Sequence, residues 1–346
     1  MAVKEPSWWY GAGPHWQIAA LAPAAHLYGA IARQRYQSAT PTRSVFPVLC
    51  AGNFTAGGTG KTPLALALAD IVREHGGTPW FLSRGYGGRL DGQERVDPAR
   101  HTSDEVGDEP LLLAQYAPTV ISRDRGRGAE FIARHAQPHS VIILDDGLQN
   151  PSLAKDLSIA VIDAVRGFGN GAVMPAGPLR APLAFQAGLT HALLVNTTSL
   201  AGANSSARAL PTELAHLPLL HAHAAPSGDV TWLKGARVIA FAGIANPARF
   251  FDLLRSQGAT LVEAMAFADH QALTEADARH LLDMAQRHGS QLVTTEKDAM
   301  RLTGSRGALA DLNARTKTLP ITLQFETNDR QRLSDLVAGA LSRRRS

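Results

Sequence analysis

Short apolar runs bounded by polar turns recur along the first two hundred residues, and stretches with helical apolar spacing lie between them. The runs at 46–51, 78–83, 119–122, 141–144, 159–163 and 192–195 read as strands, apolar enough to be covered on both faces. The segments at 61–74, 111–116 and 129–135 read as helices. Strands alternating with helices specify a parallel sheet with helices on both sides. From 197 to 229 the composition shifts to Ala, Ser, Pro and His with little period, which reads as a linker with one extended segment near 217–223. A second series follows, with strands at 238–242, 260–267, 292–295 and 321–325 and helices at 248–257 and 274–288. Thr274 and Asp277 have capping-box spacing at the start of the last helix. The expected division is an N-terminal segment 1–35, a core α/β domain 36–200, a linker 201–229 and a second α/β domain 230–346.

The first 35 residues carry a different signal. Trp8, Trp9 and Trp16 are three of the five tryptophans, and the mostly apolar stretch 16–32 leads into Arg33, Arg35 and Arg43. The stretch contains Gln17, Pro23, His26 and Gly29 and has the length of the shortest spanning helices. Two readings stand: a segment lying in a membrane interface, aromatics at headgroup depth, or a helix buried in the fold.

Composition narrows the chemistry. Of 34 basic residues only 6 are Lys, so each lysine is informative. A formal net charge of +4 does not mark a nucleic-acid binder. The single cysteine, Cys50, rules out a disulfide framework and any zinc site built on several thiolates.

The strongest local signal is Gly52-Asn53-Phe54-Thr55-Ala56-Gly57-Gly58-Thr59-Gly60-Lys61-Thr62-Pro63, set between an expected strand and an expected helix. That is the context a phosphate-binding loop requires. Glycines let backbone N–H groups turn toward phosphate oxygens, and the helix that follows presents its positive end. The segment from Thr55 through Ala56, Gly57, Gly58, Thr59 and Gly60 to Lys61 and Thr62 is the candidate nucleotide cradle. Lys61 meets the β- and γ-phosphates, and the Thr62 hydroxyl meets Mg²⁺. The strict pattern places glycine where this chain has Thr55. A glycine-rich turn without ligand is the bland alternative. The run Val141-Ile142-Ile143-Leu144-Asp145-Asp146 ends in two carboxylates at the carboxyl edge of the sheet, where Asp145 or Asp146 would complete the Mg²⁺ shell. The Asn-Lys-x-Asp signature of guanine recognition is missing, since Lys297 and Asp298 are adjacent, and this favours ATP over GTP.

Taken together these motifs resemble the tetraacyldisaccharide 4'-kinases, the lipid A kinases of Gram-negative bacteria. The resemblance spans nearly the whole chain. Beside the phosphate loop it rests on Ser83-Arg84-Gly85-Tyr86-Gly87-Gly88, Gly107-Asp108-Glu109-Pro110, Leu144-Asp145-Asp146-Gly147 and Pro175-Ala176-Gly177-Pro178-Leu179-Arg180. In the second half it rests on Gly243-Ile244-Ala245-Asn246-Pro247, Phe267-Ala268-Asp269-His270 and Thr294-Thr295-Glu296-Lys297-Asp298. The family commonly has Phe, His and Glu where this chain has Leu148, Asn150 and Ala181.

The resemblance implies a P-loop NTPase-like α/β/α domain with a second, smaller Rossmann-like α/β domain, facing each other across a cleft. It implies transfer of the ATP γ-phosphate, with Mg²⁺, to the 4'-hydroxyl of a tetraacyldisaccharide 1-phosphate, forming lipid IVA. The implied place is the cytoplasmic face of the bacterial inner membrane, peripheral or N-terminally anchored, with the lipid substrate and the membrane surface as partners and neither nucleic acid nor a protein partner. Asp108 by itself reads as an ordinary acidic residue at a helix start. The resemblance makes it the general base, with His270 tuning it and Lys61 completing the catalytic set. Asn53, Tyr86, Gln149 and Arg180 are the candidate substrate contacts, and the arginines at 343–345 read as a solvated run. The alternative is a P-loop ATPase or GTPase acting as a regulatory or metal-delivery switch without an acceptor sugar. A lipid-binding pseudo-enzyme is a third reading.

Overall fold

The computed structural model describes residues 5–11, 13, 15–197 and 210–344. Thirteen strands are present among them. They are β1 (Val48–Asn53), β2 (Thr78–Ser83), β3 (Glu94–Arg95), β4 (Thr119–Ile121), β5 (Ser140–Asp145), β6 (Leu157–Asp163), β7 (Ala192–Thr197), β8 (Leu219–Pro226), β9 (Arg237–Ala242), β10 (Thr260–Ala266), β11 (Gln291–Thr295), β12 (Thr316–Leu319) and β13 (Ile321–Phe325). The α-helices are α1 (Trp16–Gln37), α2 (Lys61–Glu74), α3 (Ser103–Val106), α4 (Asp108–Ala114), α5 (Arg125–His135), α6 (Leu183–Ala187), α7 (Pro247–Ser256), α8 (Glu275–His288), α9 (Glu296–Leu302), α10 (Gly307–Arg315) and α11 (Thr327–Ser342).

Nine strands form one sheet in the order β13-β8-β7-β6-β1-β5-β2-β4-β3. The interior is parallel, and only the edge strands β13 and β3 run antiparallel to their neighbours. β1 is buried at every position and lies between β5 and β6, because Val48 to Asn53 carries no large polar group until its last residue. One face is covered by α2 and α11, with Leu64, Leu68, Leu333 and Val337 in a common apolar cluster. The other is covered by α5 and α6 through Ala129, Ile132 and Ala187. The second sheet is parallel throughout, in the order β10-β9-β11-β12. Phe250 and Leu254 of α7 pack on one side of it, and Leu281 of α8 and Leu312 of α10 on the other. Both sheets are therefore α/β/α sandwiches of the expected class.

Several expectations need correction. The chain beyond residue 320 does not stay with the second sheet. β13 pairs with β8, and α11 packs on the face that holds α2, so the C-terminal tail closes the first sheet. The reason is apolar complementarity: Leu323, Leu333, Val337 and Ala340 complete the cluster around α2. Part of the expected linker is likewise structural, since β8 is a full strand beside β7, while 201–209 lies outside the described residues. Within the expected solvated run, Arg344 is held by the protein, donating from Nε to Asp156 at 2.9 Å and from Nη1 to the Ser44 carbonyl at 3.0 Å, while Arg345 lies outside the described residues.

Helix α1 is not a buried helix. Among its residues only Ala25 and Gly29 are buried, whereas Trp16, Leu27, Tyr28 and Ile31 are exposed. It rests on the start of α6, at Gly29, where a Cβ would come within 3.2 Å of Pro182, and at Tyr36, which meets Phe185 edge-on. No described helix is long and apolar enough to cross a membrane.

Candidate active site

The loop after β1 is shaped by its own residues. Gly57 and Gly60 have φ of +91° and +98°, which a side chain would strain. At Gly60 there is also no room, since an added Cβ would meet the Asn196 amide at 2.4 Å. Asn53 is fully buried and donates from Nδ2 to the Thr55 carbonyl at 2.7 Å, curling the loop inward. Asn196, at the end of β7, holds the loop from below by donating to the Thr59 carbonyl at 3.1 Å. Lys61 and Thr62 open α2 and are both buried.

The carboxylates stand at the adjacent strand end as the apolar run predicted. Asp145 is 1% exposed, and its Oδ1 is buried without a hydrogen-bond partner. Its Oδ2 accepts from Thr62 Oγ1 at 3.4 Å. Burial and then the neighbouring Glu109 push its carboxyl up to about 7. An orphaned buried carboxylate oxygen beside a helix-start hydroxyl is the hard-oxygen donor set that Mg²⁺ takes. Asp146, by contrast, is fully engaged. Arg180 forks onto it at 2.5 and 2.9 Å, and Lys61 Nζ lies 3.6 Å away. Burial opposes its ionisation, but these two cations outweigh it and hold the carboxyl well below the usual range.

The predicted substrate contacts separate into two groups. Asn53, Gln149 and Arg180 all hydrogen-bond within the protein, although Asn53 Oδ1 is buried with no hydrogen-bond partner. Gln149 donates to the Asn53 carbonyl at 2.7 Å and to Gln186 at 2.6 Å, and Arg180 Nε donates to the Thr55 carbonyl at 3.0 Å. Tyr86 is 64% exposed and places its ring edge-on to His270, 5.5 Å between centroids. The three positions that depart from the family pattern have structural roles here. Leu148 is buried beside Gly52, Ala181 is buried, and Asn150 accepts from the Ser152 hydroxyl at 2.8 Å.

Asp108 and His270 come from different sheets and meet. Asp108 is the first residue of α4, after Gly107, whose φ is +91° and whose Cβ would strike the Tyr86 carbonyl. His270 follows β10 with a φ of +57°, its N–H donating to the Gly243 carbonyl at 3.1 Å. Its Nδ1 lies 3.0 and 3.1 Å from the two Asp108 oxygens. The hydrogen bond to Asp108 raises the imidazole above its ordinary value, against the opposing effect of burial.

Two residues for which the sequence suggested no role complete this junction. Arg301 of α9 donates to Asp108, and Lys297, also on α9, pairs with Glu109. Lys61 acts electrostatically on Glu109, so junction and phosphate loop form one charged site. The available signal is the run Glu296-Lys297-Asp298, with Arg301 one helical turn beyond Lys297.

Comparison with known proteins identifies the family and the fold. The profile of the tetraacyldisaccharide-1-P 4'-kinase family matches residues 17–341. A tetraacyldisaccharide 4'-kinase of Methylorubrum extorquens (strain PA1) is 48% identical over 340 residues, covering 96% of this chain and 98% of that one. One from Bradyrhizobium sp. (strain BTAi1 / ATCC BAA-1182) is 46% identical over 342 residues, covering 98% and 96%. The solved structure of the "apo" form of LpxK from Aquifex aeolicus in complex with ATP superposes with a TM-score of 0.73 at 25% identity. That superposition covers 94% of this chain and 99% of the other.

Proposed function

From the premise that the chain belongs to the tetraacyldisaccharide 4'-kinase family, we propose that its two sheets carry the two halves of one phosphoryl-transfer site. The enzyme is an ATP-dependent kinase of lipid A biosynthesis that phosphorylates the 4' position of the disaccharide. In this reading Thr55, Ala56, Gly57, Gly58, Thr59, Gly60, Lys61 and Thr62 hold the ATP phosphates. Thr62 and Asp145 ligate Mg²⁺, and Asp146 joins them or holds Lys61 in place. The metal, when bound, neutralises charge on the phosphates. The Asp108–His270 pair takes the proton of the 4'-hydroxyl. Tyr86 contacts the sugar, while Asn53, Gln149 and Arg180 shape the floor of the site. The carrying observation is the meeting of Asp108 and His270, 162 positions apart, beside a phosphate loop. The test is incubation of the protein with labelled ATP and tetraacyldisaccharide 1-phosphate, products resolved by chromatography. Label on the 4' position supports the reading, and ATP hydrolysis without a labelled lipid opposes it.

Two further assignments belong to the same reading. The chain divides into a phosphate-loop domain, which includes the tail from residue 321, and a second domain spanning about 230–319. The enzyme works at the cytoplasmic face of the inner membrane, with α1 in the interface and no protein partner. The exposed Trp16, Leu27, Tyr28 and Ile31 supply the apolar face for it, and Leu27 and Ile31 share a helical stripe. Deletion of residues 1–32 is expected to weaken vesicle binding and slow turnover on lipid, with ATP affinity little changed. Vesicle flotation reads it, and undiminished binding by the folded truncation excludes the interfacial role.

A further inference from the structure

Arg249 has no part in the phosphoryl transfer described above, yet it reaches from the second sheet to the residue that carries the phosphate loop. That residue is Asn196 of β7, on which the Thr59 carbonyl and Gly60 rest. An amide side chain has two unlike ends of nearly equal size, one a donor and one an acceptor. Arg249 decides which end faces the loop. It is the third residue of α7, a helix that packs on the second sheet. Its Nη2 donates to Asn196 Oδ1 at 2.7 Å and to the Thr197 carbonyl at 2.6 Å, and its Nη1 donates to Asp163 Oδ2 at 3.2 Å.

The anchor of this guanidinium is rigid. Asp163 is 3% exposed, and its other oxygen accepts from the N–H groups of Val165 and Arg166 at 2.9 and 3.0 Å. With the anion fixed, the planar fork arrives at Asn196 from a set direction. Reversing the Asn196 amide would set its NH2 against the guanidinium and its oxygen against the Thr59 carbonyl. Donor would face donor and acceptor would face acceptor, so one orientation remains, with Nδ2 donating to Thr59 at 3.1 Å. The same side of the second sheet also touches the loop directly. A Cβ at Gly58 would lie 3.1 Å from that of Ala245, whose carbonyl accepts from Arg166 Nη2 at 3.3 Å.

The Thr59 carbonyl and the Gly60 N–H belong to one planar trans peptide and point in opposite directions. Tethering the carbonyl to Asn196 therefore turns the Gly60 N–H away from β7, as a donor for a phosphate oxygen. A residue that merely fastened one sheet to the other would need only the pair with Asp163. The Nη2 bonds to Asn196 and Thr197 add nothing to that charge balance and act on the loop instead. We infer that Arg249 is a positioning residue for nucleotide binding: it fixes the Asn196 amide, and through it the Thr59–Gly60 peptide, so that the loop is set for the ATP phosphates before ATP arrives. The inference rests on the phosphate-loop reading and adds to it a residue from the second sheet.

Its effect belongs to affinity and not to the chemical step. Without the fork the Asn196 amide turns, the peptide follows it, and ATP has to order the loop on binding. The competent loop is then one conformer among several, and the apparent affinity falls by its population. Once ATP is seated, its phosphates hold the peptide in place. The interaction is thus the same in the ground state and the transition state, which changes the binding of ATP and leaves kcat alone.

The experiment measures the Kd of ATP with Mg²⁺ by titration calorimetry on the full-length wild type, Arg249→Lys, Asn196→Ala and the double variant. Thermal melts, kcat and the KM for tetraacyldisaccharide 1-phosphate are read beside it. Arg249→Lys keeps the charge facing Asp163, but a single ammonium does not reproduce the fork onto Asn196 and Thr197. It is expected to raise the Kd of ATP about ten-fold, the worth of one well-placed hydrogen bond. Its kcat and lipid KM stay within about two-fold of wild type, and its melt is near normal. Asn196→Ala removes the tether and is expected to weaken ATP at least as much. The double variant should lose little beyond Asn196→Ala, because Arg249 acts through that residue. A mere fastener would lower the melt and leave the Kd alone, so a wild-type Kd in folded Arg249→Lys overturns the inference. Additive losses in the double variant overturn the route through Asn196. Should Arg249→Lys not fold, Asn196→Asp carries the test. It keeps an acceptor for Arg249 but turns a second oxygen on the Thr59 carbonyl, and wild-type ATP affinity there overturns the inference as well. Failure of the phosphate-loop reading looks different, since Lys61→Ala would then transfer phosphate like the wild type whatever the Arg249 variants do.

Discussion

Lys61→Ala is expected to reduce phosphoryl transfer by about 10³ or more, equivalent to about 4 kcal/mol of lost transition-state stabilisation. Lys61 is one of the chain's six lysines and sits at the first position of α2, directly after the phosphate loop. Charge accumulates on the transferring phosphoryl and the leaving oxygens, and a fixed cation in a buried site acts on it strongly. The fold should survive. Asp146, the carboxylate that Lys61 faces at 3.6 Å, keeps its bidentate bond to Arg180 and is not left as a lone buried charge. The measurement is single-turnover transfer alongside a thermal melt. A variant with a normal melt and near wild-type transfer removes the loop from the mechanism.

The second large effect is expected at Asp108 and His270. Asp108→Asn should lower kcat by about 10² to 10⁴. The amide keeps the shape but presents an N–H toward donors that need an acceptor, and it cannot stabilise an imidazolium. Stability should fall as well. Arg301 loses its ionic partner across the junction, although Asp298 at 2.6 Å continues to balance its charge. His270→Ala should cost a comparable factor in kcat, because it removes one half of the pair that takes the proton. The double variant should lose little beyond the larger single loss, since groups acting as a unit do not fail independently. Kinetics normalised to folded protein at saturating substrates decide it. Additive losses would show that the two residues act separately, and the base would then be sought at Asp145, whose Oδ1 has no hydrogen-bond partner.

The phosphate loop is legible in the chain itself, because its chemistry is contiguous. Glycines, Lys61 and Thr62 function within a dozen residues, and β1 and α2 on either side are specified by their own apolar spacing. The same holds for β2 and β13, found at the expected positions, and for the Thr274–Asp277 capping box. Asp145 is likewise marked by the buried run ahead of it. What is not legible is whatever depends on who the neighbour is. The arginine of the Pro-Ala-Gly-Pro-Leu-Arg motif reads as free to meet phosphate, but Asp146 occupies it. Gln149 reads as available to a sugar, but its amide is spent on Asn53 and Gln186.

Sequence by itself determined the strand–helix alternation, the phosphate loop, the acidic strand end and the family, since each is written in local periodicity or in a contiguous motif. Tertiary structure alone decided that β13 and α11 return to the first sheet, and that α1 keeps an exposed apolar face. It alone decided that Arg301 spans 193 positions to reach Asp108. Apolar period states that a residue is buried, and a charge pattern states that it needs a partner. Neither names the partner, because pairing across sheets is set by the packing of whole layers, and only the assembled fold brings those layers together.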